Sequence, residues 1–277
     1  RRKQLQTAAA LPLRSRKLAF PVGGASHHPS AYTPMNTLSP GRPFPRRDAL
    51  RLLAAATFAT PAFLRAQAAG PAWKSIFDGR SLAGWQPSAK SSHSKASGNT
   101  SGGRWVAENG AIVGGQDIPR NGGLLLTTEE YGDVEVALET NNDFGPDSGL
   151  FLRCTDDGRA YQCLIDYHKG GTLGGILGEG IWKRRGERNF TFGDKPELIV
   201  LNEHRQPCPV LPDAWRFFWQ HGRWNEIRAR IEGDPPTITT WVNGVRILTF
   251  TEPASQHPAR GKIGLQVHGG EAGAGGV

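Results

Sequence analysis

Three short segments of the chain alternate apolar and polar residues and carry between them Arg153, Gln162, Asp166, Gln266 and His268. Successive side chains of an extended strand point to opposite faces, so the alternation sorts them without further information. In Ala160–Asp166, Tyr161, Cys163 and Ile165 take one face and Gln162, Leu164 and Asp166 the other. In Lys262–His268, Ile263, Leu265 and Val267 point together, which leaves Gln266 and His268 opposite. In Gly149–Cys154, Leu150 and Leu152 turn inward and Phe151 and Arg153 outward. A histidine titrates near neutrality, and a carboxylate beside it can share or orient its proton. Guanidinium and amide groups hold oxygens in fixed planes, while the rings of Tyr167 and Trp182 offer apolar faces. Glu179, in Gly178-Glu179-Gly180, could reach in from a neighbouring loop. Together these residue types suit a sugar. A solvated outer face of a sheet would present the same types singly, so the expectation rests on their convergence.

Other chemistries find less support. Cys154, Cys163 and Cys208 match no zinc spacing and cannot all pair within one chain. Free, buried thiols are expected, with a Cys154–Cys163 disulfide as the lesser alternative. The Gly-rich stretch 170–180 lacks the phosphate-loop pattern. No Glu-x-Asp-x-x-Glu cluster of a laminarinase-type hydrolase falls on an expected strand. Asp147 and Glu139 are the carboxylates that could hold a divalent cation, and nothing else in the sequence calls for a cofactor.

The elements that must position these residues are strands. From residue 73 onward, short alternating segments recur between Gly, Asp, Asn and Pro clusters, the pattern of an all-β sandwich or barrel. Expected strands are Trp105–Val113, Asp133–Glu139, Gly149–Cys154, Ala160–Asp166, Trp224–Ile231, Thr237–Val242, Arg246–Phe250 and Lys262–His268. Asp157-Gly158 and Asn243-Gly244 supply the positive φ of tight hairpin turns. Residues 86–103 read as a polar loop. Residues 169–222 read as a long connection, of the kind that is functional or contains small elements of its own.

Charge divides the chain in two. Residues 1–69 carry 11 Lys+Arg and one acid, whereas residues 70–277 carry 22 basic and 24 acidic side chains, and all eight Trp. The body therefore has no cationic excess with which to hold nucleic acid. Arg46-Arg47, the apolar stretch Leu52–Leu64 and Ala66-Gln67-Ala68 form a basic end, an apolar core and a small-residue exit in order. That order predicts an export signal over residues 35–68, by the twin-arginine route or as an ordinary secretory signal, and hence a periplasmic or secreted protein without a transmembrane anchor. Met35, the only methionine, sits where such a signal would start. Residues 1–34 are then expected to be a disordered extension, and 69–277 the folded domain.

A set of motifs carries a resemblance. Ile76-Phe77-Asp78-Gly79 with Gly84-Trp85, Trp105 with Asn109-Gly110, Asp147–Arg153, Tyr161-Gln162 with Asp166-Tyr167, Trp224-Asn225, Trp241–Gly244 and Gly264–His268 follow one another in order. Over roughly residues 73–270 the chain resembles the 3-keto-disaccharide hydrolase domain family, also described as 3-keto-glucoside lyase/hydratases. The resemblance implies a concanavalin A-like jelly-roll sandwich of two antiparallel sheets. It also implies sugars already oxidised at C3, supplied by an upstream sugar 3-oxidoreductase. The keto group acidifies the C2 proton, so a base can remove it and the C1 oxygen can leave by β-elimination, after which water adds. In that chemistry His268 is the expected base or acid, Asp166 its partner, and Arg153 the enolate stabiliser. Gln162, Gln266, Tyr167, Glu179 and Trp182 would bind substrate. A non-catalytic carbohydrate-binding module on the same fold is the alternative. The family pattern continues into a terminal strand where this chain has Glu271–Val277, which is not strand-like. A sandwich missing its last strand would be left with an open sheet edge.

Overall fold

The computed structural model describes residues 7–16, 73–91, 102–117, 121–142, 147–183, 186–194, 197–201 and 206–269. The export-signal segment and the tail from residue 270 lie outside the described residues. Strand propensity and hairpin turns dominate the domain, and two antiparallel sheets form the sandwich. The larger holds, in spatial order, β15 (Val245–Thr251), β14 (Thr237–Val242), β13 (Asn225–Glu232), β7 (Val134–Asn142), β1 (Thr7–Arg16), β5 (Ala111–Gly115) and β4 (Arg104–Glu108), with β2 (Lys74–Ser75) paired to β1. The smaller runs β10 (Leu173–Glu179), β9 (Ala160–Ile165), β8 (Ser148–Cys154), β16 (Lys262–Val267), β6 (Gly123–Thr127) and β3 (Trp85–Pro87). A third, two-stranded ladder of β11 (Phe190–Phe192) and β12 (Leu198–Val200) lies within the long connection and adds to the two expected sheets.

Alternation places the core between the sheets. Strand β13 alternates buried and half-buried residues along its length, and its register sets Ile231 opposite Val134, Ala229 opposite Val136 and Ile227 opposite Leu138. From the smaller sheet, Leu150, Leu152, Tyr161, Cys163, Ile165, Ile263, Leu265 and Val267 complete that core. The opposite face of the smaller sheet is divided. Toward one end it buries a second apolar cluster of Leu124, Leu126, Phe151, Cys154 and Ala160. Residues 88–91 help to cover it, with the Ser88 N–H donated to the Leu124 carbonyl and the Ser88 hydroxyl to that of Asp156. The rest of this face is polar and carries the site below.

Three departures from the expected strands have local causes. Trp105–Val113 is two strands, because Asn109 and Gly110 both adopt positive φ (51° and 78°) and fold it into a hairpin. Strand β6 is buried throughout, so its Leu124-Leu125-Leu126 run shows no alternation. Strand β10 occupies the Gly-rich stretch, where a Cβ on Gly174 would lie 2.9 Å from Ile247 and one on Gly178 2.4 Å from Trp182. These glycines admit close packing across a strand that propensity alone disfavours.

Residues 7–16, expected to belong to a disordered extension, form β1, with Ala9 opposite both Thr140 of β7 and Ile112 of β5. The strand satisfies the backbone groups that two facing strand edges would otherwise leave unpaired. Cys154, Cys163 and Cys208 are all free thiols. Burial pushes the Cys163 thiol up to about 12, so it stays protonated and unreactive. No helix of the described residues is long and apolar enough to cross a membrane.

Candidate functional site

Strand pairing alone brings the first two site residues together. Strand β8 starts immediately after Asp147, and β16 ends immediately before His268. The two are antiparallel neighbours with Leu265 opposite Leu150, so the residues flanking these ends meet side by side. Asp147 Oδ1 lies 3.3 Å from His268 Nδ1, both side chains being more than two-thirds buried. The Ser148 hydroxyl donates to the Gln266 carbonyl at 2.8 Å, and the Gln116 amide donates to the His268 carbonyl at 3.1 Å. Gly122 permits the chain to pass there, since a Cβ would stand 2.3 Å from the Val267 oxygen and 2.4 Å from the Gly269 nitrogen.

Strand β9 ends at Ile165, opposite Ser148, which delivers Asp166 to the same end of the sheet. Asp166 Oδ1 accepts the His168 backbone N–H at 2.9 Å and lies 2.8 Å from His168 Nδ1. This bond fixes the imidazole's orientation and tautomer. Gly171 makes room for the carboxylate, as a Cβ would approach Asp166 Cγ to 2.2 Å. Between the two Asp–His pairs, Gln162 Nε2 donates to Gln266 Oε1 at 2.8 Å across the intervening strand β8. Gly149 leaves the space above which Gln162 lies; a Cβ would come within 2.3 Å of its amide nitrogen.

The electrostatics single out Asp147. Burial pushes its carboxyl up to about 6; Asp166 and Glu179 raise it further, while His268 and His168 pull it down. Glu179, at the end of β10, is likewise raised by burial and lowered by His268. A carboxyl that titrates near 6, next to a histidine, exchanges protons readily at neutral pH. Two carboxylates and two imidazoles converge here, with a third carboxylate within electrostatic range.

Of the residues expected from sequence, His268, Asp166, Gln162, Gln266 and Glu179 are thus gathered on one sheet face. The glutamines are 2% exposed and hydrogen-bonded to each other, so they form a buried floor under the charged groups. Tyr167 lies beneath: it is buried, stacked on His168 at 5.2 Å and packed against Trp219 and His221.

Arg153 and Trp182 go elsewhere. Arg153 takes a positive φ (51°) at the end of β8, which breaks the alternation that would have set it beside Gln162. Its buried guanidinium donates to Asp133 at 3.1 Å and to the Gly233 carbonyl at 3.0 Å. Trp182 packs edge-on against Tyr161 and Phe250, with its indole N–H donated to Glu252. Glu139, paired in the sequence reading with Asp147 as a cation ligand, sits in the larger sheet opposite Glu226, which helps raise its carboxyl. Among the described residues, no group of three or more His, Cys, Asp and Glu side chains is arranged to hold a metal ion. An apolar void lined by Trp105, Ile112, Leu138 and Leu265 lies on the other face of the sheet, inside the core, and takes no part in this arrangement.

The sequence pattern does not point to His168, and it points to Asp147 only as a cation ligand. Each lies one to three residues outside an alternating apolar segment, where strand patterning no longer assigns a face.

Comparison with known proteins places the chain in a family. No curated relative matches the chain. A carbohydrate-binding module, CBM66, from Bacillus subtilis is 14% identical, with a TM-score of 0.39, covering 67% of this chain and 88% of the module. A protein of Parabacteroides distasonis ATCC 8503 that carries a provisional glycosyl hydrolase name is 16% identical, with a TM-score of 0.41, covering 71% of this chain and 87% of that one. The model of the 3-keto-alpha-glucoside-1,2-lyase-like domain matches residues 72–273, most of the chain and all of the described site. The chain belongs to the 3-keto-alpha-glucoside-1,2-lyase-like domain family.

Proposed function

We propose that this protein cleaves 3-keto-glycosides by removing the C2 proton, expelling the C1 oxygen and then hydrating the product. The observation that carries the proposal is the partly buried Asp147–His268 pair at 3.3 Å, next to the Asp166–His168 pair at 2.8 Å. Elimination needs one group to accept a proton and another to donate one, and the two pairs supply a carboxyl and an imidazole each.

In the first step the C2–H bond breaks and its proton passes to the Asp147–His268 pair. The electron pair enters the C2–C3 bond, leaving charge on the C3 oxygen. The enolate then reforms the ketone and makes the C1–C2 double bond, and the C1–O bond breaks. The departing oxygen takes a proton from the second pair, in which Asp166 holds His168 by its Nδ1. Water adds across C1–C2 with the roles reversed, so protons and electrons balance over the cycle. A protonated histidine is also a donor for the enolate oxygen, a role that Arg153 is too far committed to Asp133 and Gly233 to fill. Glu179 adds negative charge that raises the Asp147 carboxyl further.

The same proposal includes export, on the strength of the signal-like sequence at residues 35–68, and a sugar 3-oxidoreductase that supplies the ketone. Incubation with a 3-keto-glucoside should release the aglycone and transiently show a glucal chromophore. Binding without release would instead favour a carbohydrate-binding module.

A further inference from the structure

Strand β1 sits in the larger sheet as an insert. More than fifty residues separate its end at Arg16 from the start of β2 at Lys74, yet it belongs to one compact unit with the strands from β2 onward. The ladders on either side of it do not depend on it: β5 pairs with β4, and β7 pairs with β13 from Val134 to Thr140. Its own pairing is broken. Thr7–Ala10 pair with both β5 and β7, the register shifts across Leu11-Pro12-Leu13, and Arg14–Arg16 then pair with β7, Arg14 and Ser15 also with β2. Proline gives no ladder donor and alanine has low strand propensity, so β1 depends on the two edges that flank it, as a strand added in trans does.

The end of β1 that engages both edges is the end nearest the candidate site. Thr7 stands opposite Gly114 of β5 and Asn142 of β7. Gln116 follows directly after β5 and donates its amide to the His268 carbonyl at 3.1 Å. Gly114 itself lies against β16, where a Cβ would come within 2.6 Å of Val267, the residue before His268. Asn142 closes β7, and Asp147 follows five residues later, immediately before β8. Thr7–Ala10 therefore tie together the two strands whose continuations support His268 and deliver Asp147.

We propose that the slot between β5 and β7 is a strand-acceptor site, that residues 7–16 of this chain are its exchangeable occupant, and that their docking sets the Asp147–His268 pair for catalysis. The catalytic part rests on the cleavage proposed above. The signal-like segment at residues 35–68 falls in the chain between β1 and β2. While the chain is whole, β1 meets its slot at the high effective concentration of a tethered ligand. A cut anywhere between the two strands, signal removal included, leaves β1 held by its ladders alone and turns it into a dissociable activator.

The test uses the full chain with a specific protease site inserted between residues 18 and 35 and cut after folding. Native mass spectrometry follows the fragment, and turnover of a 3-keto-glucoside and the ring-proton NMR signals of His268 follow the site. We expect the fragment to stay bound in concentrated solution and to leave on dilution, with turnover falling by about tenfold or more and the His268 signals moving as it leaves. A synthetic peptide of residues 5–18 should restore both, and the same peptide with Ala9→Pro, which lacks a ladder donor, should not. Ala9→Pro in the uncut chain gives the same reading without losing the strand: shifted His268 signals and lower turnover in a protein that remains folded by circular dichroism. His268 signals that follow the fragment in a protein without turnover would defeat the cleavage proposal but keep the strand-acceptor site. A fragment that added peptide cannot displace, or His268 signals and turnover unchanged after it has left and in Ala9→Pro, would overturn this proposal.

Discussion

Replacing Asp147 with asparagine should make the protein more stable at neutral pH while removing its activity. The carboxyl of Asp147 is raised from 3.8 to about 6, mainly by burial. Its folded pKa is above its unfolded value, so the folded state binds the proton more tightly. The associated stability is fully present below the unfolded pKa and is lost as pH rises through about 6. A gap of roughly two pKa units corresponds to about 3 kcal/mol, lost progressively between acidic and neutral pH. Asparagine has nearly the same shape and cannot ionise, so it escapes that loss. The shift to about 6 already includes the attraction of His268 for the carboxylate, so about 1–3 kcal/mol is expected at neutral pH. Urea unfolding of both proteins at several values from acid to neutral pH measures the difference directly. The substituted amide cannot carry the proton, so turnover of a 3-keto-glucoside should fall by roughly two to four orders of magnitude, the contribution of a general acid or base. A stability difference that does not grow with pH, or a variant less stable than wild type at neutral pH, would refute the assignment of a raised, buried carboxyl.

Other substitutions separate the site from its surroundings. Arg153→Met should lower stability by about 1–3 kcal/mol through lost buried hydrogen bonds, with kcat unchanged, whereas an enolate-stabilising arginine would lose activity as well; thermal unfolding and steady-state kinetics distinguish the two. Gly149→Ala forces its methyl group into the Gln162 amide and should cost about 1–3 kcal/mol, with KM rising as the floor shifts. A chain beginning at residue 70 lacks β1, which leaves facing edges of β7 and β5 unpaired; a lower Tm and more aggregation than in the full chain are expected, and equal behaviour would show that β1 does not hold the sheet together.

Alternation carried much of the fold and half of the site. It assigned Gln162, Gln266 and the apolar faces of β9 and β16 without any knowledge of strand order, because a strand with one core face has only one consistent phase. It failed where the backbone left the β region. Arg153 appears in phase with Phe151 in the sequence, but its positive φ turns the guanidinium toward Asp133. It was also silent just beyond strand ends, where Asp147 and His168 sit, since their placement depends on which strands become neighbours. Strand β10 was hidden for another reason: its glycines answer to neighbouring side chains such as Ile247 and Trp182, which local propensity does not register. The central place of β1 depends on pairing across more than a hundred residues and has no local signature.

In the proposed cleavage, a C2 proton is removed by the groups around Asp147 and His268. Turnover of a 3-keto-glucoside carrying deuterium at C2 measures that step. A primary kinetic isotope effect on release of the aglycone, together with exchange of C2 hydrogen with solvent that is lost in Asp147→Asn, is the predicted result. Release at the same rate from protio and deuterio substrates, with C2 hydrogen retained in the product, would contradict it.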